Sequence, residues 1–200
     1  MPNNLYRFEL LYIVLIIVNS QIFRMVQLHD KTFEPYLSEL EIQEIVKEMA
    51  HKMGVLKDEK PLFIIILKGS FIFASELVKA LDYDVELCFM QIKSYEGTQS
   101  SGKIKDIMGI PQQIKGRTLV VVEDIIDTGN TLEYLNKNLL AEQPKKIYYA
   151  SLLLKPSVYK KTLPIDFVGK EIPNEFVVGY GLDYEELGRT LTQIYKLKIS

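Results

Sequence analysis

The chain predicts an open α/β fold, a mostly parallel sheet flanked by helices, and two observations carry that expectation. Apolar runs of strand length (Leu62–Leu67, Val85–Lys93, Leu119–Val122, Ile147–Leu154) alternate with segments of helical periodicity. Runs that stay apolar throughout suit strands covered on both faces, as in a parallel sheet. The second observation is placement. Lys68-Gly69-Ser70, Ser94-Tyr95-Glu96-Gly97, Glu123-Asp124 and Lys155-Pro156 each come at the end of one of these runs. Ligands of open α/β sheets lie at the carboxyl ends of the strands, so one pocket can collect all of these clusters.

Each element has its own justification. Leu40, Ile42, Ile45, Val46 and Met49 recur at helical spacing, Ser38 and Glu41 stand in capping-box positions, and Gly54 is expected to end the helix. Leu62–Leu67 reads as a buried strand, Phe71–Leu81 as a helix and Val85–Lys93 as a longer strand. Leu119–Val122 is the next strand, followed by a helix from about Asn130 to Ala141 that stops before Pro144. Ile147–Leu154 and Phe176–Tyr180 complete the set. There is no internal repeat, low-complexity tract or linker, and 200 residues suit one domain with a sizeable core.

Composition narrows the function classes. A net charge of -2 without a lysine-arginine stripe argues against nucleic-acid binding, so any anion must be held by a local site. The single cysteine, Cys88, lies in the apolar stretch 85–90 and reads as a buried core thiol. With no internal disulfide possible, a reducing cytoplasm is the simplest compartment. His29 and His51 have no metal-ligand spacing and receive no role. The N-terminal run Leu10–Val18 is too short to span a bilayer as a helix and lacks an Ala-x-Ala-like cleavage site. Three readings remain for residues 1–24: an upstream extension before a native start at Met25 (the preferred one), a membrane anchor or signal, or a packed element.

The most informative stretch is Leu119 to Thr131, Leu-Val-Val-Val-Glu-Asp-Ile-Ile-Asp-Thr-Gly-Asn-Thr. Here a strand is expected to stop at Glu123 and Asp124, and the chain to turn through Asp127-Thr128-Gly129-Asn130-Thr131 into a helix. The helix start offers unpaired N–H groups and a positive dipole end, which suit a phosphate. Thr128 and Thr131 add hydroxyl donors, and Gly129 permits close backbone approach. The two acids, one step away, can bind sugar hydroxyls or a hydrated divalent cation. Taken separately, acids after a strand are often merely solvated and Asp-Thr-Gly is a common turn. Together, phosphate, polyol and metal suggest a sugar phosphate.

The thirteen-residue arrangement resembles the phosphoribosyl-diphosphate signature of the type I phosphoribosyltransferases, in the form found in hypoxanthine-guanine members. That family often has lysine where this chain has Asn130. The resemblance covers about Val26 to Ser200, beginning after Met25, which favours the extension reading for residues 1–24 and makes 25–200 the phosphoribosyltransferase domain. It implies the family's fold, with a small hood built from the chain ends.

What the resemblance implies for individual residues is specific. Lys68 and Gly69 would cradle pyrophosphate, and Arg189 would contact it with its forked donors. Ser94 and Tyr95 would begin a lid over the reacting centre, excluding water from an oxocarbenium ion. Glu123 and Asp124 would hold ribose hydroxyls, directly or through metal water, while Asp127, Thr128, Gly129, Asn130 and Thr131 bind the 5-phosphate. Phe176 would stack on the purine, although an aromatic there is by itself more often core. Lys155 would bond the C6 oxygen, and the Val177 carbonyl, with Ile125 and Asp183, would complete the purine site. Glu123, Asp124 and Asp183 would hold Mg2+; taken by itself, Asp183 equally suits a helix N-cap.

Asp127 is repelled by a phosphate beside it unless its side chain turns toward the purine. A carboxylate next to a dianion is driven toward its protonated form, which suits proton exchange with purine N7. The family gives this aspartate the role of general acid and base. The expected reaction is displacement of pyrophosphate from C1 of phosphoribosyl diphosphate by N9 of hypoxanthine or guanine. Small-molecule substrates, no nucleic acid, no membrane and a homodimer or homotetramer complete the expectation. Two rivals stand beside it. One is a regulatory binding protein that has kept the fold without turnover, against which Asp127, Lys68 and Asp183 argue. The other is a nucleotide-binding reductase, disfavoured because no Gly-x-Gly-x-x-Gly follows a strand.

Overall fold

The computed structural model describes residues 24–94, 104–106 and 113–199. Two sheets organise them. The larger has six strands in the order β5-β4-β3-β6-β7-β8: β3 (Leu62–Leu67), β4 (Glu86–Ser94), β5 (Ile104–Asp106), β6 (Thr118–Ile126), β7 (Lys146–Leu154) and β8 (Phe167–Glu171). β4, β3, β6, β7 and β8 run parallel, and only β5 is antiparallel, pairing with the end of β4. The smaller sheet is antiparallel in the order β1-β2-β10-β9, from β1 (Val26–Leu28), β2 (Lys31–Leu37), β9 (Val177–Val178) and β10 (Ile194–Leu197). The expected parallel sheet is present, and so is the hood built from the chain ends.

Helix α1 (Glu39–Met53) begins as its sequence demands. The Ser38 amide donates to Glu41 Oε2 at 2.9 Å and the Glu41 amide to Ser38 Oγ at 3.3 Å, a closed capping box. Its end departs from expectation. Gly54 sits at φ -53, still right-handed, and the chain tightens into a 3-10 helix, Gly54–Glu59, before Lys60 breaks it at φ 45. Helix α2 (Phe71–Ala80) and helix α3 (Asn130–Ala141) lie where periodicity puts them.

Two apolar clusters sandwich the main sheet. Val120 and Val122 point into one with α1 and α2 (Ile42, Met49, Phe73, Leu77), and Leu119 and Val121 into the other with α3 (Leu132, Leu135, Leu139). Period-two alternation of a strand buried on both faces makes both possible. Cys88 is half-buried against the α3 side, not fully enclosed, and burial raises its thiol pKa.

Two further expectations need correction. β6 does not stop at Val122; its ladder with β7 continues through Glu123↔Ser151 to Ile126↔Leu154, so neighbouring-strand pairing carries both acids inside the strand. Phe176–Tyr180 contributes only the two-residue β9, because Gly179 (φ 101), Tyr180 (φ 52) and Gly181 (φ 102) turn the backbone left-handed. The edge strand β8 and the individual hood strands β1, β2 and β10 carry no strand-like apolar run, so the sequence does not mark them one by one.

Candidate active site

The parallel order β4-β3-β6-β7 places four carboxyl ends side by side, and the polar clusters leave the sheet there. Lys68-Gly69-Ser70 leaves β3, Ser94 ends β4, Asp127 follows β6 and Lys155 follows β7. Tyr95 and most of the expected lid lie outside the described residues.

The turn after β6 is shaped around the start of α3. Gly129, at φ 80, precedes the helix, and no side chain caps the free amides there. Glu123, Ile125, Asp127, Thr128, Gly129, Asn130 and Thr131 line a cavity of about 110 Å³. Gly129 matters on its other side too: a β-carbon there would lie 2.4 Å from the Tyr159 ring and 2.9 Å from Lys161 Cγ. The loop after β7 therefore backs the turn. Nothing in the spacing of Tyr159 and Lys161 marks them beforehand.

The two acids of β6 have separate surroundings. Glu123 is buried among the cavity residues, and burial, then the neighbouring Asp124, raises its pKa well above the usual carboxylate range. Asp124 faces the turn after β3, where a β-carbon on Gly69 would meet its Oδ2 at 1.7 Å. Only glycine fits. Burial pushes the Asp124 pKa up to about 6, against backbone hydrogen bonds and the Arg189 charge that lower it; Asp183 raises it further.

The C-terminal segment closes over the β3 turn. A β-carbon on Gly181 would lie 2.0 Å from the Gly69 carbonyl oxygen, so two backbones touch where neither can carry a side chain. Arg189 Nη1 donates to the Gly181 carbonyl at 2.9 Å, and its Nη2 lies 2.8 Å from Asp183 Oδ1. Asp183 Oδ2 accepts the Glu186 amide at 2.8 Å. This is cap-like geometry, but no helix follows. Lys68 Nζ donates to both oxygens of Glu186 at 3.0 Å.

On the far side, Lys155 is buried and its Nζ lies 3.1 Å from Asp127 Oδ2. Phe176 is half-exposed, edge-on to Tyr184 with ring centres 5.8 Å apart, so it is no core residue. Val177 is buried, and Ile125 packs partly into the core while also lining the cavity. The structure thus links Lys68, Gly69, Asp124, Asp183 and Arg189 in one set of contacts and Asp127 with Lys155 in another. Glu186 and Gly181 belong to the first set and carry no sequence signal of their own.

Among the described residues no group of three or more His, Cys, Asp or Glu side chains could by itself hold a metal ion. Asp124 and Asp183 are nonetheless close enough for Asp183 to raise the Asp124 pKa. Two neighbouring carboxylates fit a cation whose remaining ligands are water and substrate oxygens, the usual arrangement for magnesium.

Comparison with known proteins agrees with this geometry. Residues 36–185 match the phosphoribosyl transferase domain family, which defines the class as phosphoribosyltransferase. A hypoxanthine-guanine phosphoribosyltransferase of Lactococcus lactis is 45% identical over 172 residues, 84% of this chain and 93% of that one. The Staphylococcus aureus enzyme of the same name is 39% identical over 173 residues, 86% of this chain and 97% of that one. A crystal structure of a Staphylococcus aureus hypoxanthine phosphoribosyltransferase superposes with a TM-score of 0.77 at 37% identity, covering 90% of this chain and 95% of that one. The chain belongs to the hypoxanthine-guanine phosphoribosyltransferase family.

Proposed function

We propose that the chain salvages purines by moving the 5-phosphoribosyl group from phosphoribosyl diphosphate to N9 of hypoxanthine or guanine, giving IMP or GMP and pyrophosphate. The Asp127–Lys155 pair beside the uncapped start of α3 is the observation that carries this reading, because it sets a carboxylate and an ammonium next to a phosphate cradle. In it, the turn Asp127–Thr131 takes the 5-phosphate through helix-start amides and the two threonine hydroxyls. Lys68, Gly69 and Arg189 take the pyrophosphate. Glu123 and Asp124 orient the ribose hydroxyls; Asp124 and Asp183, with Glu123 as a further candidate, would hold magnesium, which would supply neutralisation of leaving-group charge.

Phe176, half-exposed, stacks on the base in this reading, and the Val177 carbonyl and Ile125 complete the purine site. Lys155 donates to the C6 oxygen and cannot accept from an adenine amino group, which selects oxopurines. As the base arrives, Asp127 exchanges a proton with N7. Ser94 and Tyr95 begin the segment that shields the centre from water.

The family relatives support a purine base, and turnover tests it: hypoxanthine, guanine, xanthine and adenine are offered with magnesium and phosphoribosyl diphosphate. Turnover of adenine alone, or of no base, would overturn the reading. Three finer points belong to it. The enzyme works in the cytoplasm; no helix of the described residues is long and apolar enough to cross a membrane. It assembles as a homodimer or homotetramer, to which half-exposed Leu87 and Phe89 on β4 lend apolar surface. Residues 1–24 are dispensable for catalysis, so their removal should leave turnover intact.

A further inference from the structure

The two cations assigned to pyrophosphate are already held by an anion of the protein itself. Glu186 accepts from Lys68 Nζ with both oxygens at 3.0 Å, and its Oε2 lies 3.3 Å from Arg189 Nη2. Lys68 and Glu186 are 118 residues apart, so this carboxylate ties the turn after β3 to the C-terminal segment. The backbone is bent to present it: Glu185 and Glu186 lie at φ 49 and 68, a left-handed pair that side-chain-bearing residues seldom adopt. Arg189 meanwhile keeps one donor in reserve, since its Nε is buried without any hydrogen-bond partner. A buried guanidinium nitrogen left unpaired is costly, and a further acceptor at this spot would satisfy it.

We propose that Glu186 is a built-in stand-in for pyrophosphate: it pre-positions Lys68 and Arg189 and must be displaced when a diphosphate binds. The inference rests on the assignment of Lys68 and Arg189 to the pyrophosphate site. The pair is suited to exchange. Both side chains are about half exposed or more, 49% for Lys68 and 67% for Glu186, and ion pairs so open to water are weak. A diphosphate brings more charge and more acceptor oxygens, so it can replace Glu186 at both Lys68 Nζ and Arg189 Nη2. Glu186 is thus a positioning residue that sets diphosphate affinity; it does not touch the reacting atoms.

Calorimetric titration of the full chain with magnesium pyrophosphate, and separately with IMP, tests this on wild type, Glu186→Gln and Arg189→Gln. Glutamine keeps the size and a hydrogen bond to Lys68 but no longer competes as an anion. Glu186→Gln should bind pyrophosphate about two- to five-fold more tightly, the scale of a lost exposed ion pair, with IMP affinity unchanged. The KM for phosphoribosyl diphosphate should fall in parallel, whereas that for the purine should not. Unchanged or weaker pyrophosphate binding in Glu186→Gln overturns the proposal, and so does an equal change in IMP binding, which would mark a structural role. If Arg189→Gln leaves pyrophosphate binding unaltered, the site assignment itself falls and the proposal with it. Weakening by Arg189→Gln without tightening by Glu186→Gln removes this inference alone.

Discussion

Lys155 Nζ lies 3.1 Å from Asp127 Oδ2, one partner buried at the end of β7 and the other half-exposed at the turn after β6. In the proposed reaction this single ammonium would serve two acceptors in sequence, the Asp127 carboxylate and then the purine oxygen. If Lys155 turns to the base, Asp127 would lose its countercharge at the step that asks it to take up a proton. Asp127→Asn keeps the size and an acceptor for Lys155 but cannot exchange a proton. Turnover should fall about 10²–10⁴-fold, the usual worth of general acid/base help. Diphosphate affinity should stay the same or tighten slightly, because a negative charge beside phosphate is gone. Weakened binding with near-normal turnover would make Asp127 a mere shaper of the loop.

Lys155→Gln separates base choice from phosphate binding. Glutamine presents a donor or an acceptor to C6, whereas lysine only donates. Turnover of hypoxanthine and guanine should drop while adenine becomes less strongly excluded, with the KM for phosphoribosyl diphosphate little changed. An equal loss for all bases would remove Lys155 from the purine site.

Gly69→Ala tests the contact between the β3 turn and Asp124. The added methyl would lie 1.7 Å from Asp124 Oδ2, so the carboxylate must move. Stability should fall by about 1–3 kcal/mol, the usual cost of overpacking, and turnover should fall further than that loss explains because a ribose-orienting group is displaced. Gly181→Ala should cost more stability: its β-carbon would meet backbone, the Gly69 carbonyl oxygen at 2.0 Å, and its φ is 102. Thermal melting ranks the two variants, and the reverse order would contradict the geometry.

Much of this site could be read in the sequence, and the reason is local. Strand, acids, turn and helix from Leu119 to Ala141 are specified by neighbouring residues, as are the capping box at Ser38 and the clusters at the strand ends. Partnerships made across the fold were not legible. β8 and the hood strands owe their conformation to partners distant in sequence, and β6 extends through its acids because β7 lies beside it. Glu186 reads as one more surface acid in Asp183-Tyr184-Glu185-Glu186 until the fold sets Lys68 against it. Gly69 follows the strand Leu62–Leu67, and nothing in the sequence joins it to Gly181 until their backbones meet.

The raised pKa of Asp124 makes a prediction about pH whose sign follows from linkage. Its ordinary value is 3.8 and its value in the folded, unliganded chain is about 6. Between these the folded protein still holds a proton that the unfolded chain has lost, so this group's contribution to stability falls as pH rises from about 4 to about 6 and stays low above that. Glu123, raised for the same main reason, acts in the same direction. Asp124→Asn removes the ionisation. The variant should therefore gain stability over wild type as pH rises, with little difference near pH 4 and a higher melting temperature at pH 7–8. At the same neutral pH its turnover should collapse, since the charge that destabilises the fold is the one proposed to orient ribose and hold magnesium. Melting curves of both proteins at several pH values, without ligand, supply the comparison. A difference that does not vary with pH, or one that favours wild type at neutral pH, would show that Asp124 is not strained by its burial.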